Sequence, residues 1–230
     1  MDEREKIVVL VADESHLKYV DEINDTIQRA SEERGTGIAR RTYDYVATKM
    51  KEGKAIIALD GEKFAGFCYI ESWGHHKFVA NSGLIVVKEY RGAGLAKMIK
   101  KKAFELSRQK FPDSKIFGLT TGLPVMKINS ELGYRPVTFS ELTDDQDFWK
   151  GCQSCVNYDI LMRTNRTKCL CTAMLYDPAW EKKEQDKNEQ KIEEKNNGKI
   201  VSFKKWLTKG ESTTGFASPL KSKFKLFKKN

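Results

Sequence analysis

The sequence predicts an α/β (α+β) fold whose elements follow in the order β, α, α, three β, α, β, α, β. Short apolar, partly β-branched runs predict buried strands. Longer stretches with apolar residues every three or four positions predict amphipathic helices. Gly, Pro or Asp stands where one pattern changes to the other. With 230 residues, 40% of them hydrophobic, the chain can bury the core of one large domain, with or without an extension.

The first half of the chain contains two predicted helices and four predicted strands. Asp13 or Ser15 is expected to cap the first helix and Thr42 the second, because their side chains can accept hydrogen bonds from free N–H groups. Asp60 and Gly61 form a hairpin sequence between two strands. The predicted elements are a strand at residues 7–11, a helix from the cap to about residue 33, a helix at 42–50, and strands at 55–59, 64–70 and 78–87.

Residues 82–106 carry the stretch on which the functional interpretation depends: a strand, a loop with two glycines and a basic amphipathic helix. The loop directs free N–H groups and the positive end of a helix dipole at one place, which suits a phosphate or pyrophosphate. Gly92 and Gly94 lack Cβ atoms, so an anion can approach the main chain closely. The spacing matches neither a dinucleotide-binding G-x-G-x-x-G loop nor a P-loop.

The second half is predicted to continue with a strand at 116–120, a helix at 124–129, a strand from 134 and a helix from about 143 to 151. In the Cys-rich segment 148–177, strands at 157–162 and 173–176 are expected to form a hairpin. This hairpin would bring together the two cysteine pairs, and four thiolates suit one structural Zn²⁺. Four reduced thiols are the alternative. The cysteines concerned are Cys152, Cys155, Cys169 and Cys171.

Two motifs in this order resemble the GNAT superfamily of acyl-CoA-dependent N-acyltransferases. Arg91-x-x-Gly94-x-Ala96 resembles the family's pyrophosphate loop, and Glu131-Leu132-Gly133-Tyr134 resembles its late leucine-glycine-aromatic signature. The resemblance covers roughly residues 6–140. It implies a mixed, mainly antiparallel sheet flanked by helices, with a splay between two central strands that holds the pantetheine arm of acetyl-CoA.

The resemblance also implies which residues contact the co-substrate. Main-chain N–H groups near Leu84 would face the thioester carbonyl, and those of the glycine loop would hold the pyrophosphate. Asn129 belongs to the same group, since it stands four residues before Gly133, where many family members have a Tyr. The residues assigned to acetyl-CoA are Leu84, Ile85, Val86, Arg91, Gly92, Ala93, Gly94, Leu95, Ala96 and Asn129.

The family's usual acid and base are absent from this sequence. Many members have a Glu about eleven residues before the loop's first Arg, where this chain has Ala80, Asn81 and Ser82, and Asn129 replaces the usual Tyr. The substitutes within plausible reach, by position and chemistry, are Glu71, His75, His76 and Tyr134, since histidines can accept a proton near neutral pH. Solvent-exposed histidines and a solvated carboxylate are the alternatives.

The acceptor amine is expected beneath the basic segment between the first two helices. Arg40 and Arg41 lie there with Arg34, and a guanidinium can bind a carboxylate in a bidentate manner; an ordinary exposed turn is the alternative. Further similarity in residues 35–39, 78–86 and 116–122 and in the cysteine block links the chain to bacterial stand-alone amino-acid acetyltransferases akin to N-acetylglutamate synthases. The implied acceptor is glutamate or another small amine. A protein N-acetyltransferase and a catalytically silent acyl-CoA-binding module are the alternatives.

The positive charge is concentrated in the C-terminal segment. Residues 181–230 hold 14 Lys against 7 Asp and Glu, out of a net charge of +9 for the chain. Residues 1–178 are therefore predicted to form the acyltransferase domain and 179–230 a flexible polar, then basic and aromatic tail. Such a tail suits an anionic partner, such as nucleic acid or a membrane surface, or docking on the chain's own sheet. The charged N-terminus and the absence of any 18-residue apolar run predict a cytoplasmic protein.

Overall fold

The computed structural model describes residues 7–34 and 39–183. Within these residues, seven strands form one sheet in the order β1-β2-β3-β4-β5-β7-β6. All neighbouring strands are antiparallel except β4 and β5, which are parallel. The predicted mixed, mainly antiparallel sheet is thereby confirmed. The strands are β1 Val8–Val11, β2 Ala55–Asp60, β3 Lys63–Trp73, β4 Phe78–Val86, β5 Lys115–Thr120, β6 Arg135–Val137 and β7 Thr172–Tyr176.

Helices flank the sheet, and two of them begin at the predicted caps. The Asp13 side chain accepts a hydrogen bond from Ser15 N at 2.9 Å, and the Thr42 hydroxyl accepts one from Tyr45 N at 3.3 Å. The first six helical residues after Asp13 form a 3-10 turn, Glu14–Tyr19, before the α-helix begins. The α-helices are α1 Val20–Arg34, α2 Tyr43–Lys51, α3 Leu95–Lys110, α4 Leu123–Glu131, α5 Gln146–Lys150 and α6 Tyr158–Arg163.

The helices pack on opposite faces of the sheet because strand side chains alternate between the two faces. Phe67 and Tyr69 of β3 belong to the core beneath α1 and α2, whereas Cys68 and Ile70 belong to the core beneath α3. A third cluster joins β5 and β7 to the segment around α5 and α6. A cavity lies where these cores approach each other.

The parallel strands β4 and β5 pair over only three residues each. Phe78–Ala80 lies beside Lys115–Phe117, and the pairing ends there although both strands continue. The second half of β4 and the last residues of β5 are therefore unpaired with each other. This is the splay that the family resemblance implies, and the sheet provides its closed end at Ala80 and Phe117.

A β-bulge distorts β4 at the splay. Phe67 pairs with Ile85 but Tyr69 pairs with Ser82, so Cys68 faces two residues of β4 in place of one. Gly83 lies in the bulge with φ +68°, and a Cβ there would meet the Tyr69 ring at 2.5 Å. Only glycine fits this conformation and this close approach.

The predicted cysteine-rich hairpin is wrong. Residues 158–163 form the helix α6, and only the second half of the expected hairpin, β7, is a strand. β7 pairs with β5 on one side and β6 on the other, so neither of its edges is free for a third strand. Tyr158 and Leu161, three residues apart, lie on one helical face, and Leu161 is buried.

Parts of the predicted acceptor segment and of the predicted tail lie outside the described residues. The parts concerned are residues 35–38 of the basic segment and nearly all of the tail, since the described residues end at 183. The boundary near residue 178 and the role of the tail therefore stay predictions. No helix in residues 7–34 or 39–183 is long and apolar enough to cross a membrane.

Candidate active site

A cavity of about 460 Å³ occupies the splay between β4 and β5. The unpaired ends of these strands form its walls. Side chains of α3 and α4 reach it from one face of the sheet, and the start of α2, the end of β3 and the segment around α5 reach it from the other face. The cavity thus connects the two faces, so two molecules entering from opposite sides can meet inside the sheet. Of the predicted site residues, those lining it are Arg40, Arg41, Glu71, Leu84, Asn129, Cys152, Cys155 and Cys171.

The loop predicted to bind pyrophosphate lies at the N-terminus of α3. Gly94 is the N-cap residue, has φ +82° and provides no side-chain cap, and Gly92 has φ +86°. A Cβ at either glycine would have no neighbouring atom within 4 Å. Arg91 ties the loop to the end of β4, since its Nε donates to Val86 O at 3.0 Å. The arrangement has uncapped N–H groups at a helix N-terminus with open space in front of them, as an anion site requires.

Arg41 is the central cation on the opposite side of the cavity. Its Nε donates to the Tyr69 hydroxyl at 2.7 Å, and its Nη1 donates to the carbonyls of Arg40 at 2.9 Å and Gly151 at 3.5 Å. Its guanidinium also lies over the rings of Tyr45 and Tyr69. These contacts fix the guanidinium in place, and the hydrogen bonds within the described residues do not use Nη2.

Glu71 lines the same side, in an ion pair with Lys49. Lys49 is only 6% exposed, and its ammonium contacts the Glu71 carboxylate directly. Lys54 Nζ lies 3.9 Å from the same carboxylate, and the Tyr45 hydroxyl donates to it at 3.4 Å. Burial raises the pKa of Tyr45 and of Tyr69, so both remain phenols at neutral pH. Glu71 is thus a carboxylate at the cavity wall whose charge is already shared with two lysines.

The remaining acid and base candidates lie away from the cavity lining. His75 and His76 occupy an exposed turn, with φ +54° and +65°, and His76 stacks on Phe111. Tyr134 is buried, and its hydroxyl accepts a hydrogen bond from Asn81 Nδ2 at 3.1 Å. Burial raises its pKa well above the ordinary value. The structure therefore brings Glu71 to the cavity, but not His75, His76 or Tyr134.

Two residues that line the cavity have buried polar atoms without hydrogen-bond partners among the described residues. Asn129 is 1% exposed, and its Oδ1 has no hydrogen-bond partner among the described residues; the same is true of Trp73 Nε1. Both side chains line the cavity. A buried polar atom left unpaired costs about 1–3 kcal/mol, so these two groups need a hydrogen-bond partner, which water or a ligand in the cavity can provide.

Sequence reasoning missed Lys100, Tyr45, Tyr69 and Trp73. Lys100 stands in a run of lysines, yet it is 2% exposed and lines the cavity. Helical spacing could have found it, because Lys100, Ala103 and Ser107 follow at i, i+3 and i+7 on a face that is buried. The spacing of the three aromatic residues does not distinguish them, because aromatic residues of an ordinary core have the same spacing.

The four cysteines lie close enough to influence one another electrostatically. Burial, followed by the thiols of Cys155 and Cys169, raises the pKa of Cys152 to about 11. Burial and the neighbouring thiols, Cys169 first, raise the pKa of Cys171 to about 12. However, in residues 7–34 and 39–183 no group of three or more His, Cys, Asp or Glu residues is placed to hold a metal ion. The predicted zinc site therefore has no support in this part of the chain.

Comparisons with known proteins find similar sequences and folds among acetyltransferases. Residues 40–124 match the acetyltransferase (GNAT) family. N-acetylglutamate synthase from Neisseria gonorrhoeae, solved with coenzyme A and N-acetyl-glutamate, has a TM-score of 0.53 and 14% identity over 74% of this chain. This chain covers 35% of that synthase, about a third of its length.

Two smaller proteins match over nearly their whole length. Rv2747 from Mycobacterium tuberculosis, solved with CoA, has a TM-score of 0.51 and 15% identity, over 74% of this chain and 98% of that chain. YncA from Salmonella typhimurium, solved with acetyl-CoA, has a TM-score of 0.50 and 10% identity, and the match covers 75% of this chain and 94% of that chain. No curated protein matched the sequence.

The matched residues run from Arg40 to the first residues of α4. They include the bulge, the splay and the glycine loop, three features that depend mainly on the main chain. Residues 40–124 are therefore similar to the acetyltransferase (GNAT) family, and the described residues share the fold of the solved N-acetylglutamate synthase.

Proposed function

We propose that this protein transfers an acetyl group from acetyl-CoA to the amino group of a small amino acid, with glutamate as the best single candidate. The observation that carries the proposal is the fixed guanidinium of Arg41 in the acceptor half of a cavity whose other half suits acetyl-CoA. A role in cytoplasmic amino-acid biosynthesis accords with this substrate class.

The co-substrate would occupy the half formed by the splay. Its pyrophosphate would accept hydrogen bonds from the N–H groups between Arg91 and Ala96, and its pantetheine arm would lie between the unpaired ends of β4 and β5. A bulge leaves one residue out of the ladder, so main-chain groups at Gly83 and Leu84 are available to the thioester oxygen. Fixed N–H donors of this kind stabilise the charge that develops on that oxygen during amine attack.

The acceptor would enter from the side of α2 and α5. Arg41 Nη2 would bind its α-carboxylate, because a guanidinium and a carboxylate form short, directional, charge-assisted hydrogen bonds. Arg40 also lines the cavity and could support this contact. Holding both substrates in one cavity converts a bimolecular reaction into an effectively unimolecular one, which can supply much of the acceleration.

The two alternatives make different demands on the same cavity. A protein N-acetyltransferase acts on a peptide amine, which has no carboxylate beside it, whereas the fixed guanidinium of Arg41 suits an acceptor with a free carboxylate. This difference favours an amino acid as the acceptor. A silent acyl-CoA-binding module would need no fixed cation on that side, so the three hydrogen bonds that hold Arg41 favour an enzyme.

The test is the release of free CoA from acetyl-CoA across a panel of amino acids, polyamines and short peptides. The proposal predicts turnover with glutamate or another amino acid and little with amines that lack a carboxylate. Turnover with peptides alone would favour the protein acetyltransferase. Binding of acetyl-CoA without turnover of any amine would favour the silent module.

A further inference from the structure

A lysine buried at the closed end of the cavity has no assigned role. Lys100 reaches from α3 into the core and is 2% exposed. Its Nζ lies 4.0 Å from the point where a Cβ on Gly118 would be, and Asn129 Nδ2 lies 3.9 Å from the same point. Gly118 directly follows the last residue of β5 that pairs with β4. Lys100 and Asn129 therefore converge where the splay begins.

The surroundings of Lys100 do not account for its burial. Nothing among the described residues forms an ion pair or an acceptor hydrogen bond with its Nζ, which lies 5.6 Å from the centre of the Tyr134 ring. The groups that face it are the Cys68 thiol of β3 and the Tyr134 phenol before β6, both buried. Burial lowers the pKa of Lys100, and the Cys68 thiol acts in the opposite direction. An unpaired buried ammonium is costly, and such groups cluster at functional sites.

Acyl transfer creates a need for a cation or proton donor at this place. When the amine nitrogen has bonded to the carbonyl carbon, the C–S bond breaks and its electron pair stays on sulfur. Asn129, which stands where the family often has Tyr, has an amide that cannot serve as an acid at neutral pH. The thioester must lie near the closed end of the splay if its oxygen is to reach the bulge at Gly83 and Leu84.

We propose that the ammonium group of Lys100 protonates the departing CoA sulfur. As the C–S bond breaks, its electron pair stays on sulfur and takes up a proton from Lys100, so the Nζ–H bond breaks and the S–H bond forms. The acceptor nitrogen loses its extra proton to solvent. The neutral amine of Lys100 then takes a proton back from solvent. Asn129 lies beside the same point and helps to position the sulfur. This inference rests on the proposed function, because it concerns the same reaction.

The test measures the thiol pKa of bound CoA in the full-length protein, from the ultraviolet absorption of the thiolate, with the desulfo-CoA complex as the blank. An ammonium near the sulfur favours the thiolate, so the bound thiol pKa should be lower in the wild type than in Lys100→Met. A nearby opposite charge shifts a pKa by about 1–3 units, which is at least about a tenfold difference in thiolate at a given pH. Lys101→Met, on the exposed face of the same helix, should match the wild type.

A second readout separates proton donation from a structural role. In the acetylation assay, Lys100→Met should lower kcat by about 100-fold or more, the usual size of a general-acid effect, with little change in the KM for acetyl-CoA. Lys100→Gln, which keeps a polar group, should show the same loss if the charge is what matters. Equal thiol pKa values in wild type and Lys100→Met, or failure of the wild type to bind CoA, would overturn the proposal. If the thiol pKa shifts but no amine is acetylated, the proposed function fails while the contact to sulfur stands.

Discussion

The two halves of the cavity are built in different ways. The half that we assign to acetyl-CoA consists mainly of main-chain features, a splay and a bulge that requires Gly83, and the helix N-terminus with Gly92 and Gly94 in left-handed conformations lies outside the cavity lining. The acceptor half consists of side chains that hold one another in place, with Arg41 at the centre. Main-chain sites depend on chain geometry and tolerate many sequences, whereas side-chain sites select a particular ligand. The difference suggests that co-substrate and acceptor binding can be altered separately.

The largest expected effect on CoA affinity comes from a change in the main-chain half. Gly94→Val places a β-branched residue at φ +82°, a conformation that such residues rarely adopt. The left-handed conformation alone costs about 1–2 kcal/mol, and the new side chain blocks close approach of the anion. CoA affinity measured by calorimetry should therefore fall by at least about tenfold, since 1.4 kcal/mol is a factor of ten.

The matched control is Gly122→Ala in the turn before α4. Gly122 has φ −98°, and its Cβ would make only ordinary contacts, the nearest at 3.7 Å. It should leave CoA affinity unchanged. Wild-type affinity in Gly94→Val would mean that pyrophosphate binds elsewhere, and the main-chain half would lose its assigned role.

A smaller effect is expected from loosening Arg41 without removing it. Tyr69→Phe deletes the hydroxyl that accepts a hydrogen bond from Arg41 Nε at 2.7 Å. A hydrogen bond to a charged group contributes about 1.5–3 kcal/mol, of which only part acts through positioning. The KM for the amino acid should rise several-fold, while CoA affinity should not change.

Tyr19→Phe provides the comparison for Tyr69→Phe. The Tyr19 hydroxyl donates a hydrogen bond of 2.8 Å to Glu62 O, outside the cavity lining. Its loss should lower stability without changing the KM for the amino acid. If both variants raised that KM equally, the effect would report general loosening of the fold and not the position of Arg41.

The smallest effect concerns the thiols that border the acceptor half. Because the pKa of Cys152 is raised to about 11, its reactive thiolate is scarce at neutral pH. Alkylation of Cys152, followed by mass spectrometry, should be slow at pH 7, rise about tenfold with each pH unit as the thiolate fraction grows, and level off only near pH 11. Fast labelling at pH 7 would show that this side of the cavity is more exposed than the structure indicates.

The sequence predicts the features that depend on a few neighbouring residues. The caps at Asp13 and Thr42, the turn at Asp60 and Gly61, and the glycine loop before α3 were all predicted from local patterns. The splay was implied only by family resemblance, because it depends on where the pairing of two distant strands ends. The helix α6 was predicted as a strand, since a six-residue apolar segment has no decisive period.

The candidate site shows the same division. Arg41, Glu71, Leu84 and Asn129 were placed by position and resemblance, and they do line the cavity. Their individual roles remain predictions. His75 and Tyr134 could not be excluded from the sequence, because their distance from the cavity depends on how a turn and a core residue pack. Lys100 was missed because it stands in a run of lysines, although its helical spacing from Ala103 and Ser107 puts it on the buried face, while the neighbouring Lys101 is exposed.

The most direct test of whether the two halves of the cavity bind their ligands separately compares two acceptors, glutamate and γ-aminobutyrate, which lacks the α-carboxylate. Each acceptor is assayed with the wild type and with Arg41→Gln. Loss of a charge-assisted contact of about 1.5–3 kcal/mol should lower kcat/KM for glutamate by about 10- to 150-fold. The same substitution should leave kcat/KM for γ-aminobutyrate and the affinity for CoA nearly unchanged. An equal loss with both acceptors, or a loss of CoA binding, would contradict the assignment of the carboxylate to Arg41 and the separation of the two halves.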